Sequence, residues 1–273
     1  MNGLHMNQSS VSNEYRRASR AFDAYVSRYG LGDERIRLKY EHSLAVSRLC
    51  GRLAEASGVG QDDVELARVC GLLHDIGRFE QVRRWGTFSD AASCSHAALG
   101  LEILEGAGAG GIFAFVRDAA WVPIVKAATA LHSALRLPDN LDGRTGFFCR
   151  IVRDADKVDI MRVFAECSPE AVLGVPAADA ANGRISEAAM AGFRERRCLT
   201  SADRSELLDG VVGVACFAFE LEIPASPAIL RESGNLEALL DHPLGLSDGF
   251  TDPDTRCKWV EIREAMRLWR VKE

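Results

Sequence analysis

Val69-Cys70-Gly71-Leu72-Leu73-His74-Asp75-Ile76-Gly77-Arg78 is the stretch that decides the fold of this chain. The run leading into it (Leu66, Ala67, Val69, Cys70, Leu72, Leu73) is apolar almost all round, the pattern of a helix buried on every side. The helix reads from about Gln61 to Ile76. Asp62 and Asp63 fall in its first turn, where the helix dipole favours negative charge, and Gly77 reads as the left-handed stop just past its end. Such a helix delivers an imidazole and a carboxylate, His74 and Asp75, into a buried place, where both are costly unless something satisfies them. A metal ion satisfies both. A salt-bridged or hydrogen-bonded core pair does so too, and this stretch alone leaves the two open.

Outward from that pair the apolar spacing is helical throughout, and the chain reads as all-α, with no strand-length alternation and no internal repeat. Residues 1–12 are polar and unpatterned, a loose tail. Helices are expected over 14–29, 33–57 (with His42 near its apolar stripe), 91–105 (with His96 in its first turns), 112–120, 121–135 (with His132 near its end) and 147–166. Residues 78–90, with Arg78, Arg83, Arg84 and Trp85, read as a basic, aromatic loop placed to meet an anion beside the His-Asp pair. Gly106 to Gly111 lacks the Lys-Ser/Thr ending of a phosphate loop and reads as a flexible connection. The 147–166 helix carries Asp154, Asp156 and Asp159 in an apolar setting. The usual reading for such acids is exposure or pairing with Arg or Lys. Composition loosens between Ser168 and Arg184. Helical runs then follow at about 186–196, 201–221, 227–233, 235–240 and 254–269. The organisation expected is a tail (1–12), a helical domain (13–167) and a C-terminal helical extension packed on it (168–273).

At 273 residues, 47% hydrophobic and 26% charged, the chain has the composition of a globular protein long enough to bury its core without staples. A net charge of −6 and a pI near 5.6 argue against a broad nucleic-acid footprint. The eight cysteines form no CxxC pair, and several lie in apolar helical runs. That suits free thiols in a reducing, cytoplasmic setting. No signal-peptide pattern opens the chain. The longest uncharged apolar run, Val211 to Phe219, is too short to span a bilayer, so no membrane association is expected. Oligomeric state is not readable.

His42, His74-Asp75, His96, His132 and Asp156 each fall on a different expected helix, and helix bundles build metal sites from side chains that converge in this way. Imidazole and carboxylate without thiolate suit one or two divalent ions: Mn, Fe, Co, Ni or Zn, or Mg where fewer histidines bind. The order His, His-Asp, His, His, Asp resembles the HD-domain superfamily of metal-dependent phosphohydrolases. It is most similar to a bacterial branch whose motif runs close to His74-Asp75-Ile76-Gly77-Arg78-Phe79-Glu80-Gln81, with later parts like His96-Ala97-Ala98-Leu99-Gly100 and Ile151-Val152-Arg153-Asp154-Ala155-Asp156-Lys157-Val158-Asp159. The likeness covers roughly Tyr25 to Glu166 and, more weakly, the helical C-terminal part.

The resemblance implies an HD-type helical bundle in which His42, His74, Asp75 and Asp156 hold a primary metal. The family's last aspartate follows an alanine and precedes a basic residue, which selects Asp156 over Asp154. His96 and His132 match the extra histidines of dinuclear members. Ser133 departs from the second histidine or asparagine that many of those members carry, so His132 is the least secure ligand, and as a non-ligand it would protonate a leaving group. The activity implied is hydrolysis of a phosphomonoester or phosphodiester of a small molecule, a nucleotide among the candidates. Asp75, His132 and Arg78 would serve catalysis, and Arg78, Arg83, Arg84 and Lys157 would contact phosphate. Two other readings share the pattern: a di-iron oxygenase of the same superfamily, and a non-catalytic module that keeps the pocket to hold a nucleotide or anion.

Overall fold

The computed structural model describes residues 8–106 and 110–272, and among them there are helices, turns and loops but no strand. The chain divides into two compact units, Met1–Asp156 and Lys157–Glu273, with the division inside a long helix. The first unit holds α1 (Gln8–Val26), α2 (Glu34–Ala56), α3 (Gln61–Leu73), α4 (Ile76–Trp85), α5 (His96–Glu105), α6 (Ile112–Phe115), α7 (Val122–Leu131) and the start of α8 (Gly143–Glu166).

The central helix of this unit is α3, which packs against α1, α2 and α7. Every residue from Val64 to Leu73 except Arg68 is buried, as an all-round apolar surface demands. The contact with α2 is close enough to require a glycine: a Cβ on Gly71 would lie 2.7 Å from Cys50 Sγ and 3.0 Å from the Ser47 Cα. An aromatic cluster of Phe22 and Tyr25 from α1, Phe79 from α4 and Phe115 from α6 fastens the neighbouring helices, with ring centroids 5.7–6.3 Å apart.

The structure differs from the sequence reading around Gly77. The chain does not stop there. It turns at His74-Asp75 and starts α4 at Ile76, so residues 78–85, expected as loop, are helical. Ile76, Phe79 and Val82 give α4 a buried face, and Glu80 is bridged by Arg83 and Arg84 at i+3 and i+4. Gly77 is glycine for closeness rather than handedness: a Cβ there would strike the His96 carbonyl oxygen and the Gly100 nitrogen of α5. The left-handed stop is Gly86 (φ 65°), whose N–H donates to Val82 O.

Other boundaries move by a few residues. Gln8 opens α1, inside the expected tail, and residues 1–7 lie outside the described residues. Ser95 accepts from Ala98 N and so sets the start of α5 at His96 instead of Ala91. His132 becomes the C-cap of α7, and α8 starts at Gly143. The connection at Gly106–Gly111 falls in part on 107–109, also outside the described residues.

In the second unit α9 (Pro169–Leu173) and α10 (Ala177–Ala181) occupy the loosened stretch. They are followed by α11 (Glu187–Arg194), α12 (Asp209–Cys216), α13 (Ser226–Ser233), α14 (Asn235–Asp241) and α15 (Pro253–Lys272). The run expected as one helix over 201–221 is a 3-10 turn at Ser201–Asp203, then α12, then a 3-10 turn at Phe217–Glu220. Arg197 clamps Asp203 at 2.7 and 3.0 Å and holds the first of these turns. No helix of the described residues is long and apolar enough to cross a membrane.

Candidate metal centre

Two histidines reach the site by the same device. His74 and His132 each cap the C-terminal end of an apolar helix, and each donates Nδ1–H to the carbonyl three residues back: His74 to Gly71 O at 2.7 Å, His132 to Thr129 O at 2.8 Å. A carbonyl only accepts, so the proton sits on Nδ1 and Nε2 is turned outward from the helix end. His96, at the start of α5, is oriented by a side chain instead, donating Nδ1–H to Asp90 Oδ2 at 2.6 Å. His42 comes from the buried face of α2 and Asp156 from α8.

These side chains form two donor groups: His42, His74 and Asp156 in one, and Asp75, His96 and His132 in the other. Within each, one donor atom per residue lies within 4.8 Å of the others. In the first group Asp156 Oδ1 is 3.0 Å from His42 Nε2 and 3.6 Å from His74 Nε2. Asp75 faces both groups. Its Oδ2 is 3.7 Å from His42 Nε2 and 3.6 Å from His74 Nε2, and its Oδ1 is 3.6 Å from His96 Nε2 and 3.4 Å from His132 Nε2. All four imidazoles and Asp75 are buried.

The donor set fits divalent cations. Atoms about 2.0–2.2 Å from one ion sit roughly 3–3.5 Å from one another, close to the spacings seen here. Burial pushes His74 down from its ordinary value and His96 down to about 4, so both rings are neutral near pH 7 and their Nε2 atoms carry lone pairs. His96 Nε2 and His132 Nε2 are 2.9 Å apart, although each ring already spends a proton at Nδ1. A shared proton or a bound cation between them would satisfy both nitrogens. Among the described residues, His74 Nε2 and Asp75 Oδ1 are buried with no hydrogen-bond partner, which a ligated cation would supply. Burial by itself would raise the Asp75 carboxyl, but the charges beside it, Lys39 first, outweigh burial and hold it well below the usual range. Asp156 is likewise held low, against burial, by His42 and His74.

The proposed phosphate contacts are placed less centrally. Arg78 Nε is 3.6 Å from Asp75 Oδ1, but its Nη1 donates to Phe88 O, Gln81 Oε1 and Asp90 Oδ1 at 2.6, 2.8 and 3.0 Å. Arg83 and Arg84 both close on Glu80, and Lys157 Nζ donates to Glu220 O at 2.6 Å.

Three side chains at the site escaped the sequence reading. Lys39 donates to Asp75 Oδ2 at 2.7 Å, Asp90 orients His96, and the buried Gln81 donates to Asp90 Oδ1 at 2.9 Å. Lys39 had a findable signal, since it lies three residues before His42 on the same helical face. Asp90 had none, being one polar residue in a polar loop.

Residues 40–161 match the family model described as HD domain. No curated protein and no solved structure matches the chain. The match runs from just before His42 to just past Asp156 and so takes in all six donors: over residues 40–161 this chain carries an HD domain.

Proposed function

We propose that the chain is a metal-dependent phosphohydrolase acting on a phosphomonoester or phosphodiester of a small molecule, a nucleotide among the candidates. The observation that carries the reading is Asp75, one buried carboxylate whose two oxygens face two groups of imidazole and carboxylate donors. His42, His74, Asp156 and Asp75 would hold one ion, and Asp75, His96 and His132 a second. When bound, divalent ions supply Lewis-acid charge to a phosphoryl oxygen and acidify water at neutral pH. The chain's own part is positioning. The backward bonds of His74 and His132 and the Asp90–His96 bond fix the ring faces, and buried walls keep the field around the carboxylates strong. Arg78 adds positive charge beside Asp75 Oδ1, on the side of the second group.

The test is an assay of phosphomonoesters and phosphodiesters with added Mn²⁺, Co²⁺, Ni²⁺ or Fe²⁺, with His74→Ala and Asp75→Asn as controls. Turnover that needs metal and vanishes in both variants is expected. A fully metallated chain that hydrolyses no phosphate ester defeats the reading. If that chain holds iron with a mixed-valence spin-resonance signal, the di-iron oxygenase takes its place.

A further inference from the structure

Lys39 is a buried lysine, 9% exposed, set among metal-ligand residues. Its Nζ lies 2.7 Å from Asp75 Oδ2, nearer than the 3.6 and 3.7 Å of His74 Nε2 and His42 Nε2 from that oxygen. A buried ammonium is costly, and one that only braced the helix could be an apolar residue of similar volume. Here the charge touches the oxygen that a cation in the first group would need, and like charges this close oppose each other.

Lys39 also converges with Arg78. Lys39 Nζ lies 5.5 Å and the Arg78 guanidinium carbon 5.8 Å from the centre of the Phe88 ring. The two cations thus take opposite oxygens of Asp75 and both lie over the Phe88 ring. Their freedom differs. Arg78 Nη1 is committed to Phe88 O, Gln81 and Asp90, whereas the only hydrogen bond of the Lys39 ammonium among the described residues goes to Asp75. An ammonium has three donors, so Lys39 has capacity left.

We propose that Lys39 is the phosphate-anchoring residue of this site: it competes with the first cation for Asp75 Oδ2 and, displaced by that cation, contacts the phosphoryl group of the ligand. The phosphoryl half rests on the phosphohydrolase reading; the competition does not. Lys39→Met keeps the stem and removes the charge, and Lys39→Arg keeps the charge.

The full chain is stripped with chelator, Mn²⁺ uptake is counted from the spin-resonance signal of the free ion, and binding of inorganic phosphate to the Mn²⁺-loaded protein is measured by calorimetry. Lys39→Met is expected to take the first Mn²⁺ about tenfold more tightly and to bind phosphate at least about tenfold more weakly, with Lys39→Arg restoring most of the phosphate affinity. A folded Lys39→Met chain that binds Mn²⁺ no more tightly than wild type, or phosphate equally well, overturns the proposal. Should Lys39→Met not fold, Lys39→Gln carries the same two expectations. A wild-type chain that takes up no Mn²⁺ sinks both this proposal and the hydrolase. One that binds Mn²⁺ and phosphate but turns over no ester sinks the hydrolase alone, because both affinities of Lys39→Met are still read.

Discussion

Asp90 shows how much a single side chain outside the donor set can control. It accepts Nδ1–H of His96 at 2.6 Å and is itself gripped by Arg78 Nη1 at 3.0 Å and Gln81 Nε2 at 2.9 Å. Burial acts to raise its carboxyl, but His96, Gln81 and Arg78 together hold it well below the usual range, so it is an ionised acceptor at neutral pH. A carboxylate behind a ligating imidazole typically sets metal affinity by about 10–100-fold. Asp90→Ala is therefore expected to weaken binding at the second group by that factor and leave the first nearly unchanged. Metal content per chain after dialysis should fall from two toward one, and equal loss at both positions would refute the assignment. Glu80 gives a second residue-scale prediction, about stability alone. The bonds from Arg83, foremost, and from Arg84 hold its carboxyl down to about 2, against some burial. A depressed carboxyl contributes stability that is fully present above its unfolded value near 4.5 and is lost as pH falls toward 2. The arginine side chains are 62% and 43% exposed, so solvent screening trims the pair to about 1 kcal/mol or less. Urea titrations should find Glu80→Gln less stable than wild type by that amount at pH 7, with the gap closing below pH 4.5.

At the scale of elements, the packing of α4 on α5 decides whether Asp75 and His96 meet. A Cβ at Gly77 would strike the backbone of α5 at His96 and Gly100, where no flexible side chain can give way. Gly77→Ala should cost about 1–3 kcal/mol in urea unfolding and also lower metal content, because it pushes His96 from Asp75. Gly86→Ala is the contrast. Its Cβ meets nothing nearer than Arg35 Nη1 at 3.8 Å, so only the left-handed φ of 65° is penalised, about 1–2 kcal/mol, with metal content intact. If both variants lose metal equally, the close approach is not what places the site. The same pair shows what the sequence could and could not reveal. A glycine after an apolar helix reads equally well as a stop and as a contact, since both need a missing Cβ, and only the neighbour separates them. Hence α3 was legible from its all-round apolar surface while α4 was not. That the six side chains would converge was legible from their order along the chain, which resembles the HD pattern, since their residue types alone fit a hydrogen-bonded core equally well. Asp90 was not, because aspartate in a loop ordinarily faces water; Lys39 was marked only by lying three residues before His42, a weak signal when lysine on a helix ordinarily faces water too.

On the scale of the whole molecule, six donors drawn from positions 42 to 156 meet in the first unit, arriving on α2, the turn between α3 and α4, α5, the end of α7, and α8. Each group on its own is an expense: buried imidazoles crowded Nε2 to Nε2, and two carboxylates kept ionised against burial. Without cations that expense falls on the folded state, while the unfolded chain solvates the same groups freely. A ligand that binds only the folded form adds roughly 2.7 kcal/mol at a hundred times its dissociation constant. Chelator-treated protein is therefore expected to melt lower than protein with saturating Mn²⁺, and His74→Ala should show little of the difference. Hydrogen exchange locates the effect. Because every donor lies at or before Asp156, added metal should slow exchange in α2, α3, α5, α7 and the first half of α8, and should leave α11 to α15 as they were. Equal protection with and without metal along α2 and α3 would mean that these side chains are satisfied as they stand, and the case for a metal centre would then lose its energetic ground as well as its chemistry.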